Sequence, residues 1–378
     1  MKLIHLADLH LGKRVNEFSL LEDQEYILKE ILNIVDAEKA DGVIIAGDVY
    51  DKSLPSTEAV TMFDDFLVSL ASRKLPVFII AGNHDSPERL AFGNRLIDLS
   101  GIHISSVFDG KVKNYQLKDE EGPINIYLLP FIKPANVRAI YPDEKIESYD
   151  DALKVVVKNI NLDKTQRNIL VTHQFITGAQ RSDSEDLFVG GLDNISAEVF
   201  KDFDYVALGH IHRPQNIQKD LIRYCGSPLK YSFSEAKYDK SVTLIELGKK
   251  GDLNLSTVPL VPKHDMKEIK GTYDELTKKS FYDNTSYQND YLHITLTDEE
   301  EVSEAIGKLR SVYPYLMKLD YDNQRTQTNQ EIKAVDVEHK SPYELFSEFY
   351  EKRNNQPMSE QQSKYLNKVI EDIWKEED

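Results

Sequence analysis

Short apolar segments alternate with longer amphipathic segments over the first two thirds of the chain, and this alternation constrains the fold more than any other feature. Gly42 to Ala46 and Val77 to Ala81 are short, apolar and typical of buried strands. Glu22 to Glu38 has one apolar stripe and predicts a helix, and Ser56 predicts the N-cap of another helix that ends near Ser72. Alternating strands and helices predict a layered α/β fold in which sheet is covered by helices.

The pattern changes near Pro259 and Pro262, where a shorter mixture of strands and helices begins. It predicts a small α+β domain, and the last part of the chain predicts two helices. We therefore expect a layered α/β domain at residues 1–262, a small capping domain at 263–330, and a linker with C-terminal helices at 331–378.

Each of the two C-terminal helices carries an apolar stripe at helical spacing. These stripes predict a surface that binds a partner, although the two helices could also pack on each other or on the capping domain. The residues of the expected partner surface are Leu345, Phe346, Phe349, Tyr350, Leu366, Val369, Ile370, Ile373 and Trp374.

Polar clusters follow five of the predicted strands. The carboxyl ends of strands in α/β sheets are where ligands bind, so five clusters at such ends imply one shared site. The clusters are Asp8-Leu9-His10, Gly47-Asp48-Val49-Tyr50-Asp51, Gly82-Asn83-His84-Asp85, His173 and Gly209-His210-Ile211-His212.

The donor atoms of these clusters indicate a metal site. Asp, Asn and His suit Mn, Fe or Zn, and the single cysteine of the chain, Cys225, excludes a multi-cysteine zinc site. The clusters hold more ligands than one ion needs, and Asp48 stands centrally among them. This arrangement predicts two ions, of the kind that clamp the attacking and leaving oxygens of a phosphoryl displacement.

The composition limits the partners and the location. A formal charge of -18 does not favour binding of nucleic acid by bulk electrostatics, so such binding would need a local basic patch, metal ions or a partner. No apolar run approaches the roughly 20 residues of a membrane span, and the first residues do not form a signal peptide. We expect a cytoplasmic protein that does not bind membranes.

Taken in order, the clusters resemble the signature of the calcineurin-like metallophosphoesterase superfamily: D-x-H, G-D-x-x-D, G-N-H-D, H and G-H-x-H. The resemblance covers about residues 1 to 260. Within the superfamily, the chain is similar to the SbcD family of bacterial nuclease subunits. This closer similarity is carried by the opening M-K-L-I-H-L-A-D-L-H-L-G-K and by G-N-H-D-S-P-E-R-L.

The resemblance implies a role for each matching residue. Asp8, His10 and His212 would hold the first ion, and Asp48 would bridge both ions. His84 matches the catalytic histidine beside the metals, and Asp51 matches a position that orients a ligand histidine. The ligands that would complete the second ion are Asn83, His173 and His210.

The resemblance also implies an activity and its partners. The expected enzyme is a two-metal DNA phosphodiesterase, with Mn²⁺ as the metal, that acts as a 3′-to-5′ exonuclease on double strands and an endonuclease on single strands and hairpins. It would work with the SbcC ATPase in DNA repair, recombination and replication. The assembly would be a heterotetramer or larger, and two copies of this chain would associate in it through their nuclease domains.

Two other functions fit the same residues. A small-molecule phosphatase or phosphodiesterase could use the same fold and metals, although the roughly 115 residues after the core favour the nuclease. A non-enzymatic scaffold with an inactive metal site is the other, and the complete ligand set argues against it.

Overall fold

The structure is a computed structural model that describes residues 1–185, 194–218, 221–300, 302–323, 343, 346–347, 350 and 358–375. The chain divides into two compact units. The first unit comprises Met1–Glu268, Thr285–His293 and Tyr313–Lys318, and the second comprises Ile269–Asn284, Ile294–Val312 and Leu319–Asp378.

The strands and helices are numbered here in chain order. The strands are β1 (Lys2–Leu6), β2 (Arg14–Val15), β3 (Phe18–Ser19), β4 (Gly42–Ala46), β5 (Val77–Ile80), β6 (Ile102–Ser105), β7 (Lys113–Asp119), β8 (Gly122–Leu129), β9 (Arg167–His173), β10 (Tyr205–Gly209), β11 (Gln215–Gln218), β12 (Ile222–Tyr224), β13 (Ser241–Leu247), β14 (Leu253–Pro259), β15 (Met266–Gly271), β16 (Tyr291–Leu296) and β17 (Leu316–Tyr321). The helices are α1 (Leu21–Glu38), α2 (Thr57–Ser72), α3 (Pro87–Leu90), α4 (Asn94–Ile97), α5 (Pro134–Ile140), α6 (Tyr149–Lys158), α7 (Tyr273–Leu276), α8 (Lys279–Tyr282), α9 (Ala305–Arg310) and α10 (Glu360–Lys375).

Two six-stranded sheets form the first unit. One has the order β14-β13-β1-β4-β5-β6, and the other has the order β11-β12-β10-β9-β8-β7. Strands β1, β4, β5 and β6 run parallel, as do β8, β9, β10 and β12. In the first sheet, β13 pairs antiparallel with β1 and with β14. In the second sheet, β7 pairs antiparallel with β8, and β11 with β12. The parallel strands of each sheet therefore end at one edge.

The two sheets pack face to face between two layers of helices. Buried apolar side chains of both sheets form the central core, among them Ile44, Phe78, Ile126 and Val171. A second core packs α1 and α2 on the outer face of the first sheet, and a third packs α6 on the outer face of the second sheet. The result is a four-layer α/β/β/α sandwich, which confirms the predicted layered α/β fold.

Most of the predicted elements are present, and the differences are local. Ser56 caps α2 as expected, because its Oγ accepts a hydrogen bond from the Ala59 amide at 3.3 Å. The sequence also predicts a helix over 88–98, but this segment forms the two short helices α3 and α4, because Gly93 between them has a φ of +73°. Between residues 221 and 258, β13 and β14 pair antiparallel, whereas β12 lies parallel to β10 and antiparallel to β11.

Strands β15, β16 and β17 form a separate three-stranded sheet, and α7, α8 and α9 lie in the same part of the sequence. The sequence of this part also predicts a helix over Val302 to Tyr313, and the helix found there is shorter and covers Ala305–Arg310. No helix in the part of the chain that the structure describes has the length and apolarity needed to cross a membrane.

Candidate metal centre

The predicted ligands all lie at the carboxyl ends of parallel strands. In the first sheet, Asp8 and His10 follow β1, Asp48 follows β4, and Asn83 follows β5. The second sheet supplies the rest, with His173 as the last residue of β9 and with His210 and His212 directly after β10. The site is therefore built from both sheets of the sandwich.

Asp8, His10 and His212 form the first cluster. The Nε2 atoms of His10 and His212 lie 3.1 Å apart, and His10 Nε2 lies 3.6 Å from Asp48 Oδ2. Within the described chain, the buried Oδ2 of Asp8 has no hydrogen-bond partner. A buried carboxylate oxygen without a donor is costly, and a cation among these atoms would satisfy it.

Asp48, His173 and His210 form the second cluster, which Asn83 joins. The Oδ1 atom of Asn83 lies 3.1 Å from His173 Nε2 and 2.9 Å from His210 Nδ1. Asp48 Oδ2 lies 3.2 Å from His173 Nε2 and 3.6 Å from His10 Nε2. One oxygen of Asp48 thus reaches ligands of both clusters.

The hydrogen bonds of His173 leave the ring nitrogen that faces the site available for a metal. Its Nδ1 lies 2.8 Å from the carbonyl oxygen of Ala46, which can only accept, so this nitrogen carries the proton. The other nitrogen, Nε2, faces Asp48 and Asn83, and a metal ion there would replace the proton that the nearby carboxylates favour. Oxygen and imidazole donors of this kind fit divalent Mn, Fe or Zn.

The electrostatics of the ligand side chains also favour a positive charge among them. Burial raises the pKa of Asp8 to about 6. Burial also lowers the pKa of His10 and His210 well below the usual range, which keeps both rings neutral. Burial opposes the charged form of His173 as well, but the carboxylates of Asp48 and Asp8 raise its pKa to about 9. Divalent ions at the site would neutralise these carboxylates in place of a protonated His173.

The backbone around the ligands is strained and tightly packed. Asp8, His10, Asp48 and His210 have φ values of +53°, +43°, +49° and +98°. Such conformations cost about 1–3 kcal/mol each and cluster at functional sites. At Gly209, just before His210, the chain has no room for a side chain: a Cβ there would lie 1.9 Å from the Ala46 carbonyl oxygen.

His84 lies at the edge of the clusters and is partly exposed, as is Asn83, whereas the other ligands are buried. Its Nδ1 lies 3.1 Å from the carbonyl oxygen of Asp51, so that nitrogen is the donor, and its Nε2 lies 4.0 Å from Asp48 Oδ2. The carboxylate of Asp51 lies 3.8 Å from His10 Nδ1, which is beyond hydrogen-bond distance, and 2.7 Å from Lys13 Nζ. Asp51 therefore contacts His84 through its backbone carbonyl, and the role of its carboxylate in orienting a ligand histidine stays a prediction.

Sequence reasoning missed two residues that hold the ligand loops. The buried carboxylate of Asp85 accepts hydrogen bonds from the amides of Val49, Tyr50 and Gly82, and so ties the loop after β4 to the loop after β5. Gln24 on α1 donates to the His10 carbonyl oxygen at 2.7 Å. The position of Asp85 within the G-N-H-D motif was the available signal for the first, and nothing in the sequence pointed to the second.

The predicted partner surface is only partly covered by the structure. Phe346 is 46% exposed, and Tyr350, Leu366 and Ile370 are half-buried. Val369, Ile373 and Trp374 lie on α10, but their side chains are outside the described part, as are Leu345 and Phe349 altogether.

Comparison with known proteins gives matches along the whole chain. Residues 1–214 match the calcineurin-like phosphoesterase family, and residues 262–354 match the family described as type 5 capsule protein repressor C-terminal domain. The chain is 32% identical over 377 residues to the SbcD subunit of the SbcCD nuclease of Staphylococcus epidermidis, and the match covers 98% of both proteins.

Two solved structures are also similar. A protein of Thermus thermophilus matches with a TM-score of 0.38 and 14% identity, over 68% of this chain and 98% of that one. A dimetal phosphatase from Danio rerio matches with a TM-score of 0.45 and 10% identity, over 69% of this chain and 96% of that one. The match over residues 1–214 and the full-length identity to the staphylococcal protein show that the chain belongs to the calcineurin-like phosphoesterase family and, within it, to the SbcD family of nuclease subunits.

Proposed function

We propose that this chain is the metal-dependent nuclease subunit of an SbcCD-type complex and that it hydrolyses DNA phosphodiesters at the candidate metal centre. We expect it to degrade double-stranded DNA as a 3′-to-5′ exonuclease and to cut single strands and hairpins as an endonuclease. The observation that carries this proposal is the meeting of seven ligand side chains in two clusters that Asp48 connects. The full-length identity to a nuclease subunit supports it over a small-molecule phosphatase.

The geometry of the clusters supports the proposed ligand roles. Asp8, His10 and His212 would hold the first ion, with Asp48 between the two. Asn83, His173 and His210 would hold the second. When bound, the two ions supply an activated water molecule and neutralise charge on the phosphodiester. Mn²⁺ suits these oxygen and imidazole donors and is the ion we propose.

His84 would act on the leaving oxygen. The carbonyl of Asp51 fixes the proton on Nδ1, so only Nε2 faces the clusters. As an imidazolium, His84 would donate the Nε2 proton to the departing oxygen or stabilise charge on the phosphate. This role needs the partly exposed position that the histidine has, because the DNA backbone must reach it.

The proposed partners are the SbcC ATPase and a second copy of the chain. The exposed residues Phe92, Leu96 and Leu99 are 86%, 76% and 86% accessible and lie within eight residues of one another. Apolar side chains exposed to this degree at neighbouring positions are typical of an interaction surface, and they support a homodimer through the nuclease domain. The complex would act in the cytoplasm in DNA repair, recombination and replication.

We propose that the predicted domain boundaries separate three functional parts of the chain. Residues 1–262 would form the nuclease domain, 263–330 the capping domain, and 331–378 the linker and the helices that bind SbcC. The strand and helix bounds are compatible with a change of architecture after β14, since β15, β16 and β17 form their own sheet.

The decisive experiment is a nuclease assay with Mn²⁺ on defined duplex, hairpin and single-stranded DNA, with and without SbcC and ATP. We expect cleavage of all three substrates and none after removal of metal with EDTA. A protein that binds Mn²⁺ and hydrolyses bis(p-nitrophenyl) phosphate but leaves all three DNA substrates intact would refute the nuclease function.

A chain truncated after His339 tests the C-terminal partner surface. It should keep Mn²⁺-dependent cleavage of single-stranded DNA, because the metal centre lies in residues 1–268. It should no longer co-purify with SbcC or respond to ATP. Normal co-purification of the truncated chain would refute the docking role of these helices.

A further inference from the structure

A buried network of polar side chains contacts His212 on the side of its ring that faces away from the metal centre. The Nδ1 of His212 lies 2.7 Å from Ser184 Oγ, and Ser184 Oγ lies 2.5 Å from Glu235 Oε1. Glu235 Oε2 in turn lies 2.5 Å from Lys240 Nζ. Both Glu235 and Lys240 are buried, and Ser184, Glu235 and Lys240 have no place in the family signature given above.

The hydrogen bonds of Lys240 fix the charge state of this network. Its ammonium group also donates to Ser227 Oγ and to the carbonyl oxygen of His212, both at 2.8 Å. Three acceptors use all three of its protons, so Lys240 is a satisfied cation beside Glu235. Glu235 is therefore a carboxylate that can only accept hydrogen bonds.

The direction of every hydrogen bond in the network then follows. Because Glu235 only accepts, the Ser184 hydroxyl must donate its proton to Glu235. Ser184 Oγ must consequently accept from His212, so the His212 Nδ1 carries a proton. In the neutral ring, the form that binds a metal, the other nitrogen, Nε2, has the lone pair, and it is the atom that faces His10 in the first cluster.

Other contacts hold the backbone of His212 in the same region. Glu185, the neighbour of Ser184, accepts a hydrogen bond from the His212 amide at 2.7 Å. The amide, the carbonyl and the ring of His212 are thus each bound by a charged or polar side chain. By contrast, within the described residues the buried Nδ1 of His10 makes no hydrogen bond, and that of His173 relies on a backbone carbonyl.

We propose that Ser184 is a positioning residue for the first ion: its hydroxyl links His212 to the Glu235–Lys240 ion pair and so fixes the ring with Nε2 presented for metal binding. This inference rests on the two-ion site proposed above. Outer partners of this kind fix the tautomer and raise the basicity of a ligand histidine, and their loss lowers metal affinity about 10- to 100-fold.

The test is a titration of the full-length protein with Mn²⁺ alone, in which electron paramagnetic resonance measures the free ion. We expect the wild type to bind two ions. Ser184→Ala should weaken one site about 10- to 100-fold and leave the other unchanged. Ser184→Thr keeps a hydroxyl at the position and should restore most of the affinity.

Ser234→Ala is the matched control, because Ser234 Oγ accepts from the Asp183 amide at 3.0 Å and so anchors the same loop without touching His212. It should bind both ions as the wild type does. The inference is overturned if Ser184→Ala keeps both affinities, if it weakens both sites alike, or if Ser234→Ala or Ser184→Thr behaves as Ser184→Ala does.

The titration contains no nucleic acid, so its result is separate from the nuclease assay. Wild-type protein that binds two ions but does not cut DNA would refute the proposed function and leave the Ser184 test in force. Wild-type protein that binds fewer than two ions would contradict the two-ion site itself, and the role of Ser184 would fall with it.

Discussion

Replacing Gly209 by alanine should separate the two sheets at the metal centre. The new Cβ would lie 1.9 Å from the Ala46 carbonyl oxygen and 2.7 Å from His173 Nδ1, whereas side-chain Cβ atoms essentially never approach other atoms within 3.0 Å. The ends of β4 and β10 would have to move apart by at least 1.1 Å, since 1.9 Å must become 3.0 Å. The obstacle is backbone, which cannot rotate out of the way.

Two consequences follow from this displacement. Overpacking of a dense interior costs about 1–3 kcal/mol, so the free energy of unfolding should fall by that amount. The same movement would disturb the hydrogen bond between His173 and Ala46, which sets the ring nitrogen for the second ion. We therefore expect Gly209→Ala to lose Mn²⁺ at the second cluster as well as stability.

Gly307→Ala is the control, because Gly307 lies within α9 and a Cβ there would meet no atom within 4 Å. Alanine in a helix interior is favoured over glycine by about 1 kcal/mol, so this variant should be as stable as the wild type or more so. Urea denaturation in EDTA measures stability, and Mn²⁺ titration measures binding. A Gly209→Ala protein with wild-type stability and two bound ions would refute the close-packing argument.

Three further substitutions test other parts of the molecule. Asp48→Asn should weaken both metal sites and abolish nearly all nuclease activity with the fold retained, and substantial activity at saturating Mn²⁺ would contradict the bridging role. His84→Ala should keep both ions and DNA binding but lower turnover by about 10² or more, whereas a parallel loss of metal would make His84 a ligand. The Arg167 guanidinium, 3.0 Å from Asp119, holds the pKa of that carboxyl well below its usual range, so the pair stabilises the fold above about pH 4 and this contribution disappears as the pH falls further. Urea denaturation in EDTA between about pH 6 and pH 3 should therefore show a smaller loss of stability in Asp119→Asn than in the wild type, and equal losses would contradict the pairing.

The sequence alone predicted the layered fold because each strand and helix was encoded locally. Strand β4, Gly42–Ala46, has the bounds that its apolar run predicts. The strand Lys113–Asp119 was missed, since it is an edge strand with alternating partly exposed residues and lacks a continuous apolar run. Gly93 could not be distinguished from a tolerated helix glycine, because its positive φ depends on the packing of the folded chain.

The sequence predicted those residues of the candidate site that lie in short local motifs. Asp8, His10 and His212 lie in short patterns after strands, and the fold brings them together. The network behind His212 was not predictable, because Ser184 and Glu235 are 51 residues apart in sequence and belong to no motif. Their association depends on the packing of loops, which hydrophobic periodicity does not predict.

Both clusters draw their ligands from both sheets of the sandwich. An ion held by Asp8 and His212, or by Asn83 and His210, would bridge the two sheets as a cross-link does. Each such ion adds stability by mass action, about 2.7 kcal/mol when its free concentration is 100 times its dissociation constant. The concentration of free metal would then affect the lifetime of the protein as well as its activity. Without metal, the chain would unfold more often and expose more of its core to proteases.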